Sequence, residues 1–184
     1  MAPSAPLLQD EVVEVSDQSH HVREATTADA AGIAAIYNEA IAERVATFET
    51  EPQDPEDFFA WIEDEGRPLL VAESGGSIVG WAGLAPYSGR SWYAGIGEFS
   101  VYVGAGARRH GIGAVLVEAL ADDAERRGYH KMIGKLFTDN APSIGLVERC
   151  GFSPVGLHRR HGELDGRWRD VLLVERVLAP TLSR

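Results

Sequence analysis

Two amphipathic stretches and several short apolar runs alternate along the chain, and together they predict its secondary structure. Ile33, Ile36 and Tyr37 begin an apolar stripe at helical spacing, directly after an N-cap cluster at 26–29. A second stripe follows Gly111, and its polar face is acidic. In chain order, the predicted elements are a strand at 20–24, a helix beginning after Asp29, a short helix beginning at Asp54, a hairpin of 69–73 and 78–84, a strand at 98–103, a helix from 111 to about 127, a strand at 131–137, a helix at 141–149, and strands around 155–160 and 168–177.

This order indicates a mixed α/β fold, with a central sheet flanked by helices. The chain has 184 residues, which fits one domain of about 100–200 residues, and we expect that domain to cover 20–180. Residues 1–19 contain four acidic residues and no Lys or Arg. We therefore expect a flexible acidic N-terminal tail there rather than a basic leader.

The charge balance narrows the classes of partner. The chain has 17 Lys and Arg against 28 Asp and Glu, a net charge of −11. Nucleic acids and anionic membranes both select basic surfaces, so we expect neither as a partner. Cys150 is the sole cysteine, which fits a reducing compartment, and we expect a cytoplasmic location. The histidines show no recognised metal spacing, and we expect no metal.

The glycine-rich turn between the strand at 98–103 and the next helix is a candidate for ligand binding. It reads GAGARRHGIG from 104 to 113. Glycines let backbone N–H groups approach a ligand, and a helix N-terminus carries partial positive charge, so the turn favours a phosphate group. Its spacing matches neither a P-loop nor the dinucleotide motif G-x-G-x-x-G. A tight strand-to-helix turn with no ligand is the alternative.

The same stretch resembles the signature of a known family. Arg108-x-x-Gly111-x-Gly113, after a Val-Tyr-Val strand, is similar to the [Q/R]-x-x-G-x-[G/A] motif of GNAT-superfamily N-acetyltransferases. The segment from Asn140 to Phe152 resembles the N-x-x-S-x-x-L-[Y/H]-E-x-x-G-F motif of that fold. The resemblance covers 20–177 and implies a single GNAT domain that uses acetyl-CoA as its co-substrate.

Three further segments resemble the phosphinothricin (bialaphos-resistance) acetyltransferase branch of this superfamily. They are FETEP at 48–52, Arg90-x-x-Tyr93, and Gly166-x-Trp168-x-Asp170-Val171. This resemblance implies direct transfer of an acetyl group to the primary amine of a small amino acid or amino-acid analogue, such as phosphinothricin or methionine sulfone. It also implies a homodimer.

The resemblance assigns roles to individual residues. Glu98 matches the catalytic glutamate, which removes a proton from the amine directly or through water; an ordinary exposed carboxylate at a strand end is the alternative. A backbone N–H near Val103 is the expected oxyanion contact, with a bulge possible at Gly104. Candidate substrate-binding residues are Phe48, Arg90 and Tyr93. Candidate contacts to acetyl-CoA are Val101, Tyr102, Val103, Arg108, Arg109, His110, Gly111, Ile112, Gly113, Ala114, Asn140 and Ser143.

One position departs from the family pattern. Val147 stands where the motif carries Tyr or His, a residue associated with protonating the leaving thiolate, and valine has no proton to donate. A thiol of pKa about 8.5 is a tolerable leaving group, so activity does not require that donor. Two alternatives stay open: an acetyltransferase for another amine (an aminoglycoside, a polyamine or a protein N-terminus), and a catalytically weak CoA-binding module.

Overall fold

A seven-stranded mixed sheet organises residues 20–178, which are the residues that the computed structural model describes. The tail expected at 1–19 and the last two residues of the expected domain lie outside them. The strands are β1 His21–Glu24, β2 Leu69–Ser74, β3 Ser77–Pro86, β4 Ile96–Val103, β5 Lys131–Phe137, β6 Ser153–Leu164 and β7 Arg167–Val177. The α-helices are α1 Ala30–Glu43, α2 Phe59–Ile62, α3 Ile112–Arg126 and α4 Ala141–Arg149.

Neighbouring strands lie in the order β1-β2-β3-β4-β5-β7-β6. Every pair is antiparallel except β4 and β5, which are parallel and are joined through α3. A parallel pair needs a crossover connection, and α3 provides it. The predicted fold class is confirmed.

Local sequence explains where the first elements begin and turn. Before α1, the Thr26 backbone N–H donates to Asp29 Oδ2 at 2.8 Å in a capping box, as the N-cap cluster predicts. Between β2 and β3, Gly75 and Gly76 have φ of +57° and +78°. Two consecutive left-handed residues form the turn whose twist matches a two-residue hairpin, which explains the tight connection.

Several predicted boundaries needed correction. The strand expected at 78–84 ends two residues later, at Pro86. The strand expected at 98–103 begins two residues earlier, at Ile96. The helix expected at Asp54 is a 3-10 turn at Pro55–Phe58 followed by the single turn of α2. The last hairpin is longer than the prediction, because β6 runs over Ser153–Leu164 with irregular pairing to β7. Most residues of β6 are exposed, so its sequence lacks the alternation of apolar and polar side chains that predicts a strand.

The sheet separates the two larger apolar cores of the described residues, and a third, small cluster holds Phe137, Leu164 and Val171. Helices α3 and α4 contribute Leu116, Leu120 and Val147 to one core, together with Phe99 and Met132 from the strands. Helix α1 and the 3-10 turn before α2 cover the other face. That core contains Ile33, Ile36, Phe58, Val71 and Trp81. Strands β4 and β5 are therefore held from both sides at the centre of the molecule.

Candidate active site

Strands β4 and β5 pair over only three residues and then separate. The paired residues are Ile96–Lys131, Gly97–Met132 and Glu98–Ile133. Phe99 and Gly134 follow immediately, and a Cβ on Gly134 would lie 2.4 Å from Phe99 Cε1. The phenylalanine ring therefore packs over the glycine at the point where pairing stops. The residues beyond it line a cleft, which we call the split: Ala46, Ser100, Val101, Tyr102, Lys135, Leu136, Phe137, Asn140, Ser143, Leu146 and Val147 border it with Phe99.

The backbone N–H and C=O groups of Val101 and Val103 face the split. Ile96 accepts a hydrogen bond from Tyr87 in the direction of β3, and Gly104 donates one to Val79 in the same direction. Backbone polar groups alternate between the two edges of a strand, so even-numbered residues of β4 bond to β3 and odd-numbered ones face β5. Past Phe99 no strand pairs with that edge. The Val103 N–H therefore points into the split, where the predicted oxyanion contact requires it.

The possible bulge at Gly104 is not formed. Register between β3 and β4 is regular from Gly80–Val103 to Pro86–Gly97, and Gly104 follows the strand end. The Val103 carbonyl accepts a hydrogen bond from Arg108 Nε at 2.9 Å. This contact fixes the glycine-rich turn against the strand end without a bulge.

The glycine-rich turn leads into the N-terminus of α3. Gly111 is the N-cap residue, with φ of +83°, and Arg109 also adopts a positive φ of +67°. At the start of α3, the Ala114 N–H donates to the Gly111 carbonyl at 3.0 Å, whereas the N–H groups of Ile112 and Gly113 precede the first intrahelical hydrogen bond. These two groups lie at the positive end of the helix dipole. This geometry favours an anion at the predicted position.

The three basic residues of the turn differ in their availability. Arg108 is held by Glu43 at 2.8 Å in addition to Val103. His110 is exposed, and its Nδ1 lies 3.3 Å from the Ala107 carbonyl. Arg109 is exposed at the tip of the turn. Arg109 is thus better placed than Arg108 to meet an incoming phosphate.

A second hollow, of about 370 Å³, lies on the α1 side of the same turn and is bordered by Ile36, Ile78 and Ala107. Glu39 also lines it and accepts a hydrogen bond from the Ala105 N–H at 2.9 Å. A carboxylate on this backbone amide repels a phosphate, so the α3 side of the turn is the better anion site.

Glu98 lies at the end of the split where β4 and β5 are paired, and it contacts a cation that the sequence analysis did not identify. Its Oε2 is 2.8 Å from Lys135 Nζ, and the two side chains are 34% and 44% exposed. Lys135 lies two positions past the last paired residue of β5. The resemblance gave no role to this position. The signal in the sequence was the rarity of lysine, since only Lys131 and Lys135 occur in the chain.

The candidate substrate-binding residues lie in two different loops. The Phe48 ring packs edge-on against Phe137, with centroids 4.7 Å apart, on the segment that follows α1. Tyr93 belongs to an exposed aromatic cluster before β4, and Arg90 lies over the Trp92 ring at 5.8 Å. Phe48 therefore packs on a residue, Phe137, that lines the split together with Lys135. Arg90 and Tyr93 lie on the connection between β3 and β4.

Asn140 and Ser143 lie together at the start of α4. Asn140 Oδ1 accepts the Ser143 N–H at 3.2 Å, and Asn140 Nδ2 donates to the Val45 carbonyl at 3.0 Å. Both residues line the split. Asn140 thus caps α4 and ties the helix to the segment carrying Phe48.

Tyr102 is half-buried and Val147 is buried, and both line the split. The Tyr102 ring packs between Tyr37 and Trp81, at centroid distances of 5.0 and 4.9 Å, and burial raises the pKa of its hydroxyl. Val147 is 2% exposed within the core under α3. Tyr102 consequently shapes the cleft through packing, and Val147 presents an apolar surface to it.

The described part of the chain offers little support for a cysteine nucleophile, a metal site or a membrane helix. Cys150 is buried, and burial raises the pKa of its thiol, which disfavours a nucleophilic thiolate. Within 20–178, no group of three or more His, Cys, Asp or Glu side chains is placed to hold a metal ion. No helix of that range has the length and apolar character that a membrane crossing requires.

Comparison with known proteins identifies the family. Residues 33–152 match the model of the acetyltransferase (GNAT) family. The chain is 36% identical over 169 residues to the L-methionine sulfoximine/L-methionine sulfone acetyltransferase of Pseudomonas aeruginosa, covering 90% of this chain and 98% of that protein. It is 35% identical over 155 residues to the phosphinothricin N-acetyltransferase of Streptomyces viridochromogenes, covering 82% and 83%.

Solved structures agree. The phosphinothricin acetyltransferase of Sinorhizobium meliloti, in complex with acetyl-CoA, superposes with a TM-score of 0.83 at 30% identity, covering 90% of this chain and 92% of that one. The predicted resemblance is confirmed in both the superfamily and the branch. The chain belongs to the GNAT family of acetyltransferases.

Proposed function

We propose that this protein transfers the acetyl group of acetyl-CoA to the primary amine of a small amino acid or amino-acid analogue, with phosphinothricin and methionine sulfone as model acceptors. The observation that carries the proposal is the split between β4 and β5, which has Glu98 at one end and the N-terminus of α3 at the other. Relatives named for acetylation of these two kinds of acceptor cover most of the chain and support the acceptor class.

The residues of the split fit acetyl-CoA. The unpaired edge of β4 offers the backbone groups of Val101 to an extended arm, much as a further strand would add to the sheet. At Val103 the N–H is free on this edge, while its carbonyl is bonded to Arg108. The turn from Arg109 through Ala114 offers amides and positive charge to a pyrophosphate. Asn140 and Ser143 border the same cleft. Gly113 connects the turn to this cleft, since a Cβ there would lie 3.1 Å from Leu146 Cδ2 and 3.8 Å from Val103 Cγ2.

Acetyl-CoA supplies an activated acetyl group held on a thioester. Glu98 accepts a proton from the acceptor ammonium, and the neutral amine forms the new C–N bond while the C–S bond breaks. CoA leaves as a thiolate and takes up the second proton that the nitrogen loses. The Val103 N–H donates to the carbonyl oxygen as negative charge develops there. The transfer is direct and needs no covalent enzyme intermediate.

The apolar surface of Val147 favours a second candidate, a CoA-binding module with weak turnover. A screen of acetyl-CoA-dependent thiol release distinguishes the two, using amino acids, phosphinothricin, methionine sulfone and sulfoximine, polyamines and aminoglycosides. Turnover confined to the amino-acid analogues supports the proposal. Binding of acetyl-CoA without turnover of any amine supports the module instead.

We also propose that the protein is a cytoplasmic homodimer. Four large apolar side chains, Val155, Leu157, Trp168 and Val177, are each between 47% and 64% exposed on β6 and β7, and a second copy would cover such surface. Light scattering on the purified full chain tests the dimer. A monomer at micromolar concentration contradicts it.

A further inference from the structure

Lysine is rare in this chain, and both lysines lie on one strand. Of the 17 basic residues, only Lys131 and Lys135 are lysines, and both belong to β5. They are four positions apart, so their side chains leave the same face of the sheet, about 13 Å apart at about 3.3 Å per residue. Each forms an ion pair of 2.8 Å with a glutamate.

The two pairs differ in their surroundings. Lys131 pairs with Glu175 where β5 is hydrogen-bonded on both sides, to β4 and to β7. Lys135 pairs with Glu98 across the split, where β5 has lost β4 as a partner. The first pair joins two strands where the sheet is continuous. The second places one positive and one negative charge on opposite walls of the cleft in which the acceptor reacts.

We propose that Lys135 recognises the carboxylate of the acceptor while Glu98 receives its amine. This inference rests on the proposed function and deepens it, because it assigns the acceptor class to a residue of this chain. A free α-amino acid carries an ammonium and a carboxylate on the same carbon. Glu98 and Lys135 present the opposite charges side by side, so the acceptor replaces one internal ion pair with two external ones.

Exchange of this kind costs little. Both side chains are about a third to a half exposed, and half-exposed ion pairs contribute little to stability. The long lysine side chain lets the ammonium move away from Glu98 while staying at the cleft. Arg90, the cation that the sequence analysis named among the candidate substrate-binding residues, lies over Trp92 on an exposed loop.

The test compares an acid with the matching amine. L-methionine sulfone and 3-(methylsulfonyl)propylamine differ only by the carboxylate. In Lys135→Met we expect kcat/KM for the acid to fall about 10- to 150-fold, mainly through KM, because a charge-assisted hydrogen bond is lost. The amine should change by less than about threefold. Lys135→Arg should restore part of the loss, and Lys131→Met, which removes the lysine outside the cleft, should leave both acceptors unchanged.

Three outcomes overturn the inference. Equal losses for acid and amine mean that Lys135 acts only on Glu98. No loss for either compound in Lys135→Met means that Lys135 does not contact the acceptor. A preference abolished by Arg90→Ala alone assigns the role to Arg90. If the wild type acetylates neither compound, the proposed function fails. Calorimetry with the same two compounds in the presence of CoA then tests the inference alone. The wild type must bind the acid more tightly than the amine, and Lys135→Met must lose that preference.

Discussion

The paired half of the β4–β5 ribbon and its separated half show how one strand pair serves two purposes. Over Ile96–Glu98 and 131–133, parallel hydrogen bonds hold the two strands together. Beyond them, β4 continues to pair with β3 and β5 with β7, but not with each other. Each strand thus keeps one partner, and the edge facing the split stays free for a ligand without loss of the scaffold.

The contrast also applies to side chains. Lys131–Glu175 and Lys135–Glu98 share a distance, a strand and a face, yet only the second faces a cleft. Similar ion pairs therefore acquire different roles from the backbone beside them. Position relative to the split is a better guide to function than the pair itself.

The largest expected difference between the paired half and the separated half is in kcat, and it is measured by neutralising one glutamate in each half. We expect Glu98→Gln to lower kcat about 10²- to 10⁴-fold with little change in acetyl-CoA affinity, because the amide cannot accept the proton. The loss should shrink at high pH, where the amine loses its proton unaided. Steady-state kinetics over a pH series measures both effects.

Glu175→Gln is the matched control for this experiment. It removes the carboxylate partner of Lys131 from the paired half and should leave kcat within about twofold of the wild-type value. A pH–rate profile of Glu98→Gln that matches the wild type would remove Glu98 from the mechanism.

How much of this contrast the sequence could predict depends on the kind of signal. Both lysines, Glu98 and the glycine-rich turn are visible in the sequence. Helical spacing predicted α1 and α3, and the helix predicted at 141–149 is α4. The separation of the strands was not visible, because it lies at a contact between Phe99 and Gly134, residues that are 35 positions apart in the sequence. The contact of Lys135 with Glu98 could be recognised only from the structure, which places β4 beside β5.

A second prediction tests the contact that marks the division. Gly134→Ala places a methyl group 2.4 Å from Phe99 Cε1 and 3.2 Å from Val174 Cγ2. Overpacking of this kind costs about 1–3 kcal/mol of unfolding free energy, which urea denaturation measures. Gly106→Ala is the control, because nothing lies within 4 Å of its added Cβ. If both variants unfold at the same urea concentration as the wild type, the packing does not set the division.

An ion pair of the scaffold should affect stability and not chemistry. Asp29 is buried against Arg23, with contacts of 2.7 and 2.8 Å, and this hydrogen-bonded guanidinium lowers the pKa of the carboxyl from 3.8 to about 2. A lowered pKa means stability that is present above pH 4 and is lost as pH falls toward 2. Asp29→Asn should cost roughly 2 kcal/mol at pH 7 and almost nothing at pH 2, with kcat unchanged.

Asp165→Asn provides the comparison, since Asp165 pairs with Arg44 at 3.2 Å on the surface and is 56% exposed. It should cost less than about 1 kcal/mol at either pH. A pH-independent loss in Asp29→Asn would mean that packing, and not charge, makes Asp29 important.

The smallest expected effect concerns the far end of the split. Gly111 has φ of +83°, a conformation that Asn and Asp tolerate better than other side chains, so Gly111→Asn and Gly111→Asp differ chiefly by one charge. That charge lies at the N-terminus of α3, where it stabilises the helix and repels phosphate. The Asp variant should therefore unfold at the same or a higher temperature than the Asn variant, yet bind acetyl-CoA about fivefold more weakly by calorimetry, or about 1 kcal/mol. Raising the salt concentration should narrow the difference in affinity, because exposed charges are screened. Equal affinities in the two variants would place the pyrophosphate away from this helix end and leave the free edge of β4 to hold the co-substrate.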